Sequence, residues 1–445
     1  MQSRLDKKHA AIQAVCGLIA KHQPAARVNN MQQLAKQYFD ESMFQTLLQL
    51  NSAALYGSII SLWDHIHQRS NGACNIEIYN PNHAEYLWQS SYTVIDIVCD
   101  DIPFLISSIT NALTQLEYKI HLNTHPVMAI ERHPEGHIKQ IHTFDDRNQH
   151  DLESVMRFEI DHESNSDKMQ AIATTLRGVI RDVDLVVKDW HPMRSQLLKV
   201  INYASDQQLP ISNDEKDECL AFLRWLVNNH FTFIGYRAYN LVENRTNGLY
   251  QLNAIKESGL GSLQDQHCSP ASLAPIKLNA YQSELACQQQ LLVLTKSSKR
   301  STVHRLVNMD YLGIKRFNAA GQVVGEDRFY GLYSSTAYTT NINQVPLLRH
   351  KVEALIERMK VLPNSHKSKA LQHVFNNFPR DEMLQANVEE LLPMIQGILE
   401  TQERHQLRLF VHIDKYGRFT TVLAYIPRER FNTQLRMRIQ HILLR

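Results

Sequence analysis

The apolar residues of the first 70 positions recur at spacings of three, four or seven, the period of one face of an α-helix. Ile12, Val15 and Ile19 form the first such series. A second series follows, made up of Phe44, Leu48, Leu55, Ile59 and Leu62. Residues 1–75 are therefore predicted to form a helical lead-in.

The period changes from helix to strand near residue 76, and 93–99 is a β-branched run of strand length. A helical stripe follows, formed by Leu105, Ile109, Leu113 and Leu116. Further strands are predicted at 119–130, 138–144 and 154–161, and the next helix carries Ile172, Leu176, Val179, Ile180, Val183 and Val187 on one face. This order of elements predicts, over 76–200, an α/β sandwich with helices on one face of an antiparallel sheet.

A polar stretch at 206–218, which includes Pro210, is typical of a domain boundary. The segment 215–340 begins with a predicted helix at 215–229. Its predicted strands are 231–241, 249–255, 290–295, 302–307, 310–317 and 323–333. A segment made mostly of strands, with a few short helices, predicts an α+β domain of the sensor type.

The chain turns helical again at 341–404, which we interpret as a connector with helices at 347–360 and 389–401. Residues 405–445 then follow the pattern of a strand, a turn with Gly417, a second strand and a helix that begins at Asn432. The pattern has no helix stop signal before Arg445, so we expect the sequence to end inside this domain.

Charge and cysteine content exclude several classes of protein. The formal net charge is +2, with no excess of basic residues for phosphate contacts, so nucleic acid is not an expected partner. The six cysteines show no CxxC spacing and are predicted to be reduced, mostly buried thiols. Lys21-His22-Gln23 stands where a signal peptide needs small residues, and no stretch approaches the roughly 20 apolar residues of a membrane span. We expect a cytoplasmic protein without a membrane partner.

Motifs for common enzyme chemistries are missing from the sequence. No phosphate-binding P-loop, H-E-x-x-H or G-x-S-x-G motif occurs. The nearest approach to a dinucleotide loop is Gly259-Leu260-Gly261, whose third position is Gln264, and a flexible loop is the better interpretation. His65 and His67 lie two residues apart, on different faces of a helix, and are interpreted as solvated or capped histidines. We expect no catalytic, metal-binding or cofactor-binding residue in this chain.

Two polar segments are weaker candidates for a binding site. The run from Lys296 to Thr302 could bind phosphate or an acidic partner, although a solvated hairpin turn is favoured. The turn Asp100-Asp101-Ile102-Pro103 precedes the helix predicted from 103 to 116 and could hold a small amino acid. Ordinary helix capping by Asp100 or Asp101 is the favoured alternative.

Val94 and Val98 lie on one face of the first good strand. If that face is the one that the helices leave uncovered, the two valines are candidates for contact with a neighbouring subunit. Asp100-Asp101-Ile102-Pro103 loses one N–H donor at Pro103 and carries two carboxylates that would repel a ligand carboxylate. We therefore expect the 92–190 domain to act mainly by self-association.

Several blocks, in order, resemble the N-terminal half of the large NAD-specific glutamate dehydrogenases of bacteria. The resemblance rests on Trp88-Gln89-Ser90, Val98 to Leu105, His125-Pro126-Val127, Phe222 to Leu226, Phe231 to Tyr236, Gly331 to Ser335, Leu348 to Lys351, Ser365-His366, Lys369 to Leu371, Phe378 to Glu382, Gly417 to Phe419 and Tyr425 to Asn432. The blocks run from about residue 75 to the end of the chain.

The resemblance implies an α+β multidomain fold. Its parts are a helical lead-in at 1–75, an ACT-like βαββα sandwich at 76–200, a PAS-like mixed α/β domain at 215–340, a helical connector at 341–404 and the truncated start of a second ACT-like domain at 405–445. It also implies a longer parent that uses NAD to convert L-glutamate to 2-oxoglutarate and ammonia, with its catalytic part C-terminal to the residues present. This chain alone is then expected to be inactive.

Two interpretations of function stay open. One is the regulatory and oligomerisation region of such a dehydrogenase, whose partners are further copies of itself and the catalytic region. The other is a free-standing ACT/PAS-like regulatory protein that senses an amino acid. ACT effector sites usually carry glycine in the turn after the first strand, and the turn at 100–103 has none. An assembly role is therefore favoured over ligand binding at this turn.

Overall fold

The computed structural model describes residues 2–41, 51–244, 248–267, 270–362, 364–404 and 407–444. The chain divides into two compact units. Unit 1 comprises Met1–Val187 with Thr302–Leu306, and unit 2 comprises Lys188–Ser301 with Val307–Arg445. The polar stretch at 206–218 therefore lies inside unit 2 and does not mark the division.

Unit 1 begins with helices and continues as an alternation of strands and helices. Its helices are α1 (Gln2–His22), α2 (Ala25–Glu41), α3 (Ser52–Ile66), α4 (His83–Tyr86), α5 (Leu105–Gln115) and α6 (Ser166–Lys188). Its strands are β1 (Asn75–Tyr79), β2 (Thr93–Asp100), β3 (Ile120–Thr124), β4 (Val127–Arg132), β5 (Ile138–Ile141) and β6 (Leu152–Ile160). The helical character of the lead-in is confirmed, while Phe44 and Leu48 of that prediction lie outside the described residues.

The strands of unit 1 form an antiparallel sheet in the order β1-β2-β6-β4-β5, and β3 also pairs with β6. The sequence predicts a single strand at 119–130, but β3 and β4 are separate. His125 and Pro126 stand between them, and Pro126 has no N–H for a ladder hydrogen bond. The carbonyl oxygen of Pro126 accepts from Val155 N–H at 3.0 Å. The chain therefore pairs twice with β6, once on each side of this interruption.

Helices cover the sheet face that carries Val94 and Val98. Both valines are fully buried: Val98 belongs to the apolar core that α1, α2 and α3 build, and Val94 packs with Ala54 of α3 and Trp88. Ile95 and Ile97 point to the opposite face and are also buried. The prediction of helices on one face only is wrong, because the lead-in helices cover the second face. Val94 and Val98 are candidates for an interface only if their face of the sheet is uncovered, and it is covered. They are therefore core residues of unit 1 and not interface residues.

Unit 2 contains a seven-stranded antiparallel sheet in the order β10-β8-β7-β13-β12-β11, with β9 paired to β7. Its strands are β7 (Phe231–Asn244), β8 (Leu249–Ala254), β9 (Leu260–Gly261), β10 (Ile276–Lys277), β11 (Leu292–Arg300), β12 (Asn308–Phe317) and β13 (Val323–Tyr333). The strand predicted at 302–307 is wrong. There, Thr302 Oγ1 donates to Asp182 and His304 N–H donates to Ser108 Oγ, both within unit 1.

Unit 2 also contains the helices α7 (Trp190–Asp206), α8 (Asn213–Trp225), α9 (Pro270–Leu273), α10 (Ala280–Cys287), α11 (Ser335–Thr339), α12 (Leu348–Arg358), α13 (His366–Asn377), α14 (Arg380–Gln385) and α15 (Val388–Arg404). All of them except α9 and α10 contribute described residues to the core of unit 2. Helix α7 is not among the helices predicted from the sequence, although it buries Met193, Leu197 and Ile201 at helical spacing.

The last described elements of unit 2 are a hairpin and a helix. Strand β14 (Arg408–Ile413) pairs antiparallel with β15 (Thr420–Tyr425), and α16 spans Thr433–Leu443. Asn432 caps α16, since its side chain accepts from Leu435 N–H at 2.8 Å. The strand, turn, strand and helix predicted here are confirmed. Among the described helices, none is both long enough and apolar enough to cross a membrane.

Candidate functional site

The turn Asp100-Asp101-Ile102-Pro103 does not cap the helix that follows it. Helix α5 begins at Leu105, its N-cap is Phe104 with φ 75°, and no side chain caps it. Asp100 pairs with Arg69 at 2.8 Å, and Asp101 accepts from Ser154 Oγ at 2.6 Å. The predicted start of this helix at Pro103 and its capping by aspartate are therefore wrong.

A cleft of about 1110 Å³ lies beside this turn and is lined by Asp100 and Asp101 but not by Ile102 or Pro103. Five carboxylates line the cleft against two guanidinium groups, those of Arg69 and Arg132. Both guanidinium groups pair with the buried Glu153, at 2.8 and 2.6 Å. The remaining charge is negative, which disfavours the carboxylate of an amino-acid ligand.

The glycines at 259 and 261 serve a tight backbone turn. Gly261 has φ +59°, and a Cβ there would lie 2.4 Å from the carbonyl oxygen of Ile234. The Gly261 N–H donates to Asp189 Oδ2 at 2.6 Å. This N–H group is already used inside the protein, whereas a phosphate-binding loop offers such groups to its ligand.

The Lys296 to Thr302 segment is not a solvated hairpin turn. Lys296 lies in β11 and its ammonium group pairs with Asp310 at 2.6 Å and with Asp381 at 2.8 Å. Ser297 and Ser301 are buried, while Lys299 and Arg300 are exposed. The assignment to a hairpin turn is thus wrong for Lys296 to Arg300, which lie in β11, although Ser298, Lys299, Arg300 and Thr302 are exposed. Lys296 links β11 to β12 and α14.

The histidines near the end of α3 contact neighbouring protein groups. His65 Nδ1 lies 3.2 Å from the Glu77 carboxylate, and His67 Nδ1 lies 2.8 Å from the carbonyl oxygen of Asp64. Across the described residues, no group of three or more His, Cys, Asp or Glu side chains is placed to hold a metal ion.

A cavity of about 480 Å³ lies between α7 and the sheet of unit 2, and it is not among the sites predicted from the sequence. One face of α7 lines it with Gln196, Lys199, Val200, Tyr203 and Ala204, which recur at helical spacing. Three adjacent strands complete it with side chains that lie side by side in register, including Tyr236, Ala238, Ile314, Arg316 and Asp327. The site is therefore assembled from one helix and three strands.

A hydrogen-bond chain reaches the acidic group of this cavity. Gln196 Nε2 donates to the Tyr236 hydroxyl at 3.1 Å, and this hydroxyl donates to Asp327 Oδ1 at 2.5 Å. Arg316 Nε lies 3.6 Å from Asp327 Oδ2. Burial raises the pKa of the Asp327 carboxyl, while Tyr236 and Arg316 oppose the shift. Asp327 is thus a buried carboxyl with one oxygen held firmly and the other close to a cation.

Lys315, on the same strand as Arg316, is directed to backbone groups. Its ammonium donates to the carbonyl oxygens of Leu285 and Gln288 at 2.7 and 2.8 Å. Burial lowers its pKa to about 8. Lys315 therefore fastens α10 to the sheet, and the cations that the cavity offers to a ligand are Arg316 and Lys199.

An exposed apolar row marks the outer face of β14. Leu409, Val411 and Ile413 alternate along the strand and are all more than half exposed, whereas Phe410 between them is half-buried and packs against the core of unit 2. Alternation places the exposed residues on one face. Contiguous apolar exposure of this kind is characteristic of surfaces that contact another protein.

Comparison with protein families gives three matches in order along the chain. Residues 34–176 match "Glutamate dehydrogenase, ACT1 domain", 345–404 match "Glutamate dehydrogenase, helical motif 1", and 408–445 match "Glutamate dehydrogenase, ACT2 domain". The first match begins inside the segment predicted as a lead-in, so α2 in part and α3 fall within the ACT1 region.

Curated relatives are similar over most or all of the chain. The NAD-specific glutamate dehydrogenase of Halomonas elongata is 30% identical over 447 residues, covering 100% of this chain and 26% of the relative. That of Pseudomonas aeruginosa is 29% identical and covers 96% of the chain and 26% of the relative. That of Mycobacterium tuberculosis is 24% identical over 79% of the chain and 20% of the relative. The chain thus spans about a quarter or less of the length of these relatives.

Proposed function

Because this chain corresponds to the N-terminal region of the large NAD-specific glutamate dehydrogenases, carrying their ACT1, helical motif 1 and ACT2 regions, we propose that it is a non-catalytic regulatory and oligomerisation region. The longer enzyme would convert L-glutamate, NAD and water to 2-oxoglutarate, ammonia and NADH. Its NAD site and its catalytic residues would lie outside this chain.

The observation that carries this proposal is the agreement over the whole chain. The Halomonas relative aligns with 100% of the 445 residues, and the matched regions are two ACT domains and a helical motif. Regions of this type would hold subunits together or transmit the binding of an effector to a catalytic domain.

The fold of 215–340 is proposed to be PAS-like. Its main strands in chain order are β7, β8, β11, β12 and β13, and they lie in the spatial order β8-β7-β13-β12-β11. The first and last of these strands therefore pair at the centre of the sheet, as in PAS domains. The cavity under α7 adjoins these central strands.

Self-association is the second part of the proposal, with a second copy of this chain as the occupant of the β14 row. Leu409, Val411 and Ile413 carry no charge, so the same row of a second copy matches it in polarity. Covering these side chains removes apolar surface from water, which favours association.

The non-catalytic role is tested by assaying the purified 445-residue chain for NAD reduction with L-glutamate. We expect no rate above the control without protein. A protein-dependent rate that follows the purified chain through two chromatographic steps contradicts the proposal.

Self-association is tested by sedimentation equilibrium of the wild-type chain, Val411→Glu and Gln170→Glu. Gln170 is an exposed residue of α6, so it provides the same new charge away from β14. We expect a concentration-dependent mass in the wild type and in Gln170→Glu, and a monomer in Val411→Glu. A wild-type monomer, or an associated Val411→Glu, overturns the assignment of the β14 row.

A further inference from the structure

We propose that the cavity between α7 and the sheet of unit 2 binds a free α-amino acid with an apolar side chain. The site is defined by residues of this chain alone, so it does not depend on the role of the chain in a dehydrogenase. It also lies in a different unit from the Asp100 turn.

The cationic side of the cavity suits a carboxylate. Arg316 donates through Nη2 to the carbonyl oxygen of Tyr239 at 2.6 Å and to Asn240 Oδ1 at 3.0 Å, which holds the guanidinium in place. Among the described residues, no hydrogen bond engages its Nη1, and no ion pair engages Lys199. Two cationic groups, Arg316 and Lys199, can therefore reach a carboxylate in the cavity. The planar guanidinium of Arg316 is already held in one orientation by its own hydrogen bonds.

The acidic side suits an ammonium group. Oδ1 of Asp327 accepts from Tyr236, whereas Oδ2 has only the 3.6 Å approach of Arg316 within the described residues. An ammonium group is a donor without acceptor capacity, so it complements this oxygen. A cation beside Asp327 would also offset the cost of burying its charge.

The rest of the lining selects an apolar body between these two ends. Val200 and Ala204 of α7 face the cavity from one side, and Leu291, Ile314 and Phe317 line it from the sheet side. Small-molecule pockets commonly enclose about 300–1,000 Å³ and combine apolar walls with a few fixed polar groups. The 480 Å³ here lies within that range.

Other small ligands fit the same charges less well. A fatty acid or a 2-oxo acid offers its carboxylate to Lys199 and Arg316 but supplies no hydrogen-bond donor to Asp327 Oδ2. A simple amine donates to Asp327 but supplies no carboxylate to Lys199 or to Arg316. Only a ligand with both groups uses both sides of the cavity.

The test is isothermal titration calorimetry of the full chain with L-valine, L-leucine and L-phenylalanine. Two analogues serve as ligand controls: 3-phenylpropanoate, which lacks the ammonium group, and 2-phenylethylamine, which lacks the carboxylate. We expect at least one amino acid to bind, and each analogue of phenylalanine to bind at least about tenfold more weakly than phenylalanine itself, the scale of one lost charged hydrogen bond.

Variants locate the binding. Asp327→Asn and Lys199→Gln are each expected to weaken binding at least about tenfold. Asp206→Asn changes an exposed carboxylate at the end of α7, outside the cavity, and should bind like the wild type. Asp101→Asn, at the cleft of unit 1, should also leave binding unchanged. Lys199 is exposed, so Lys199→Gln keeps the test decisive if Asp327→Asn unfolds in urea more readily than the wild type.

Three outcomes with the ligands and the unit 2 variants overturn the proposal. They are no heat with any of the three amino acids at millimolar concentration, equal binding of phenylalanine and either analogue, and equal weakening by Lys199→Gln and Asp206→Asn. Loss of binding in Asp101→Asn alone would assign the ligand to the cleft of unit 1 and would likewise overturn it. None of these outcomes depends on NAD reduction or on sedimentation, so they are distinct from failure of the proposed function.

Discussion

Arg157 and Asp96 form a two-point ion pair in the interior of unit 1. Arg157 Nε lies 2.6 Å from Asp96 Oδ1, and Arg157 Nη2 lies 2.6 Å from Asp96 Oδ2. The two residues are direct partners across β6 and β2, and they are 1% and 0% exposed. Tyr79 donates to Asp96 Oδ2 at 2.9 Å, and Arg157 Nη1 donates to the carbonyl oxygen of Ser58 in α3 at 3.1 Å. The pair therefore fixes α3 to the sheet.

Replacement of Asp96 by asparagine is expected to lower the free energy of unfolding by about 3–5 kcal/mol, because it leaves the Arg157 charge buried without its partner. The measurement is urea unfolding followed by circular dichroism. Glu131→Gln, at a partly exposed ion pair with Lys139, serves as the control and should cost far less, because exposed ion pairs contribute little to stability. If the two variants lose equal stability, the buried pair does not have the structural role that its geometry indicates.

Glu218 gives unit 2 a stability that depends on pH. Its Oε1 accepts from Arg349 Nε at 2.8 Å, and its Oε2 accepts from Leu347 N–H at 2.7 Å, which connects α8 to the start of α12. Burial alone would raise the pKa of the Glu218 carboxyl. The hydrogen bonds from Arg349 and from the Leu347 N–H lower it by more than burial raises it, so the pKa lies below its ordinary value. The contribution of Glu218 to the free energy of unfolding is then fully present at pH values above the ordinary carboxyl pKa. It is lost as the pH falls through the lowered pKa that Glu218 has in the folded state.

Glu218→Gln is therefore expected to cost about 1–3 kcal/mol near neutral pH and progressively less as the solution is acidified. The measurement is the difference between the wild-type and variant free energies of unfolding across this pH range. Glu215→Gln, an exposed neighbour on α8, is the matched control and should show little loss at any pH. A difference that grows on acidification would contradict the lowered pKa.

Gly261→Ala is expected to destabilise the chain by about 2 kcal/mol or more. An L-residue in the left-handed region costs roughly 1–2 kcal/mol, and the new Cβ would also meet the Ile234 carbonyl oxygen at 2.4 Å. Gly248→Ala is the control, since Gly248 has φ +66° and a Cβ added there would have no neighbouring atom within 4 Å. Thermal unfolding of both variants separates strain from steric contact. Equal losses would show that the close approach at Gly261 is unimportant.

The elements that could be predicted from the sequence carry their signal within one segment. The β-branched run at 93–99 became β2, and the apolar stripe beginning at Ile172 became α6. Helix α7 also carries such a stripe, at Met193, Leu197 and Ile201, so hydrophobic periodicity could have revealed it. These predictions depend only on residues a few positions apart.

The cavity could not be predicted in the same way. Tyr236 and Asp327 are 91 residues apart and meet only because β7 and β13 pair in one register. Alternation likewise showed that Val94 and Val98 share a face, but it could not show which helices cover that face. Such relationships depend on tertiary packing, which a single-segment pattern does not specify.

Cys74 and Cys99 contact each other beside the β1–β2 pair, where Asn75 is the partner of Val98. Cys99 is buried and Cys74 is half-buried. A hydrogen bond from the Cys99 thiol lowers the pKa of Cys74, because it stabilises the Cys74 thiolate.

Cys99→Ala should therefore raise the pKa of Cys74 and slow its alkylation by iodoacetamide near neutral pH, since the thiolate is the reactive form. Mass spectrometry of Cys74 across a pH series measures this shift. Cys219→Ala, which removes a buried thiol of unit 2, controls for the general loss of a buried sulfur and should leave the Cys74 profile unchanged. An unchanged profile in Cys99→Ala as well would mean that the Cys99 hydrogen bond does not stabilise the thiolate.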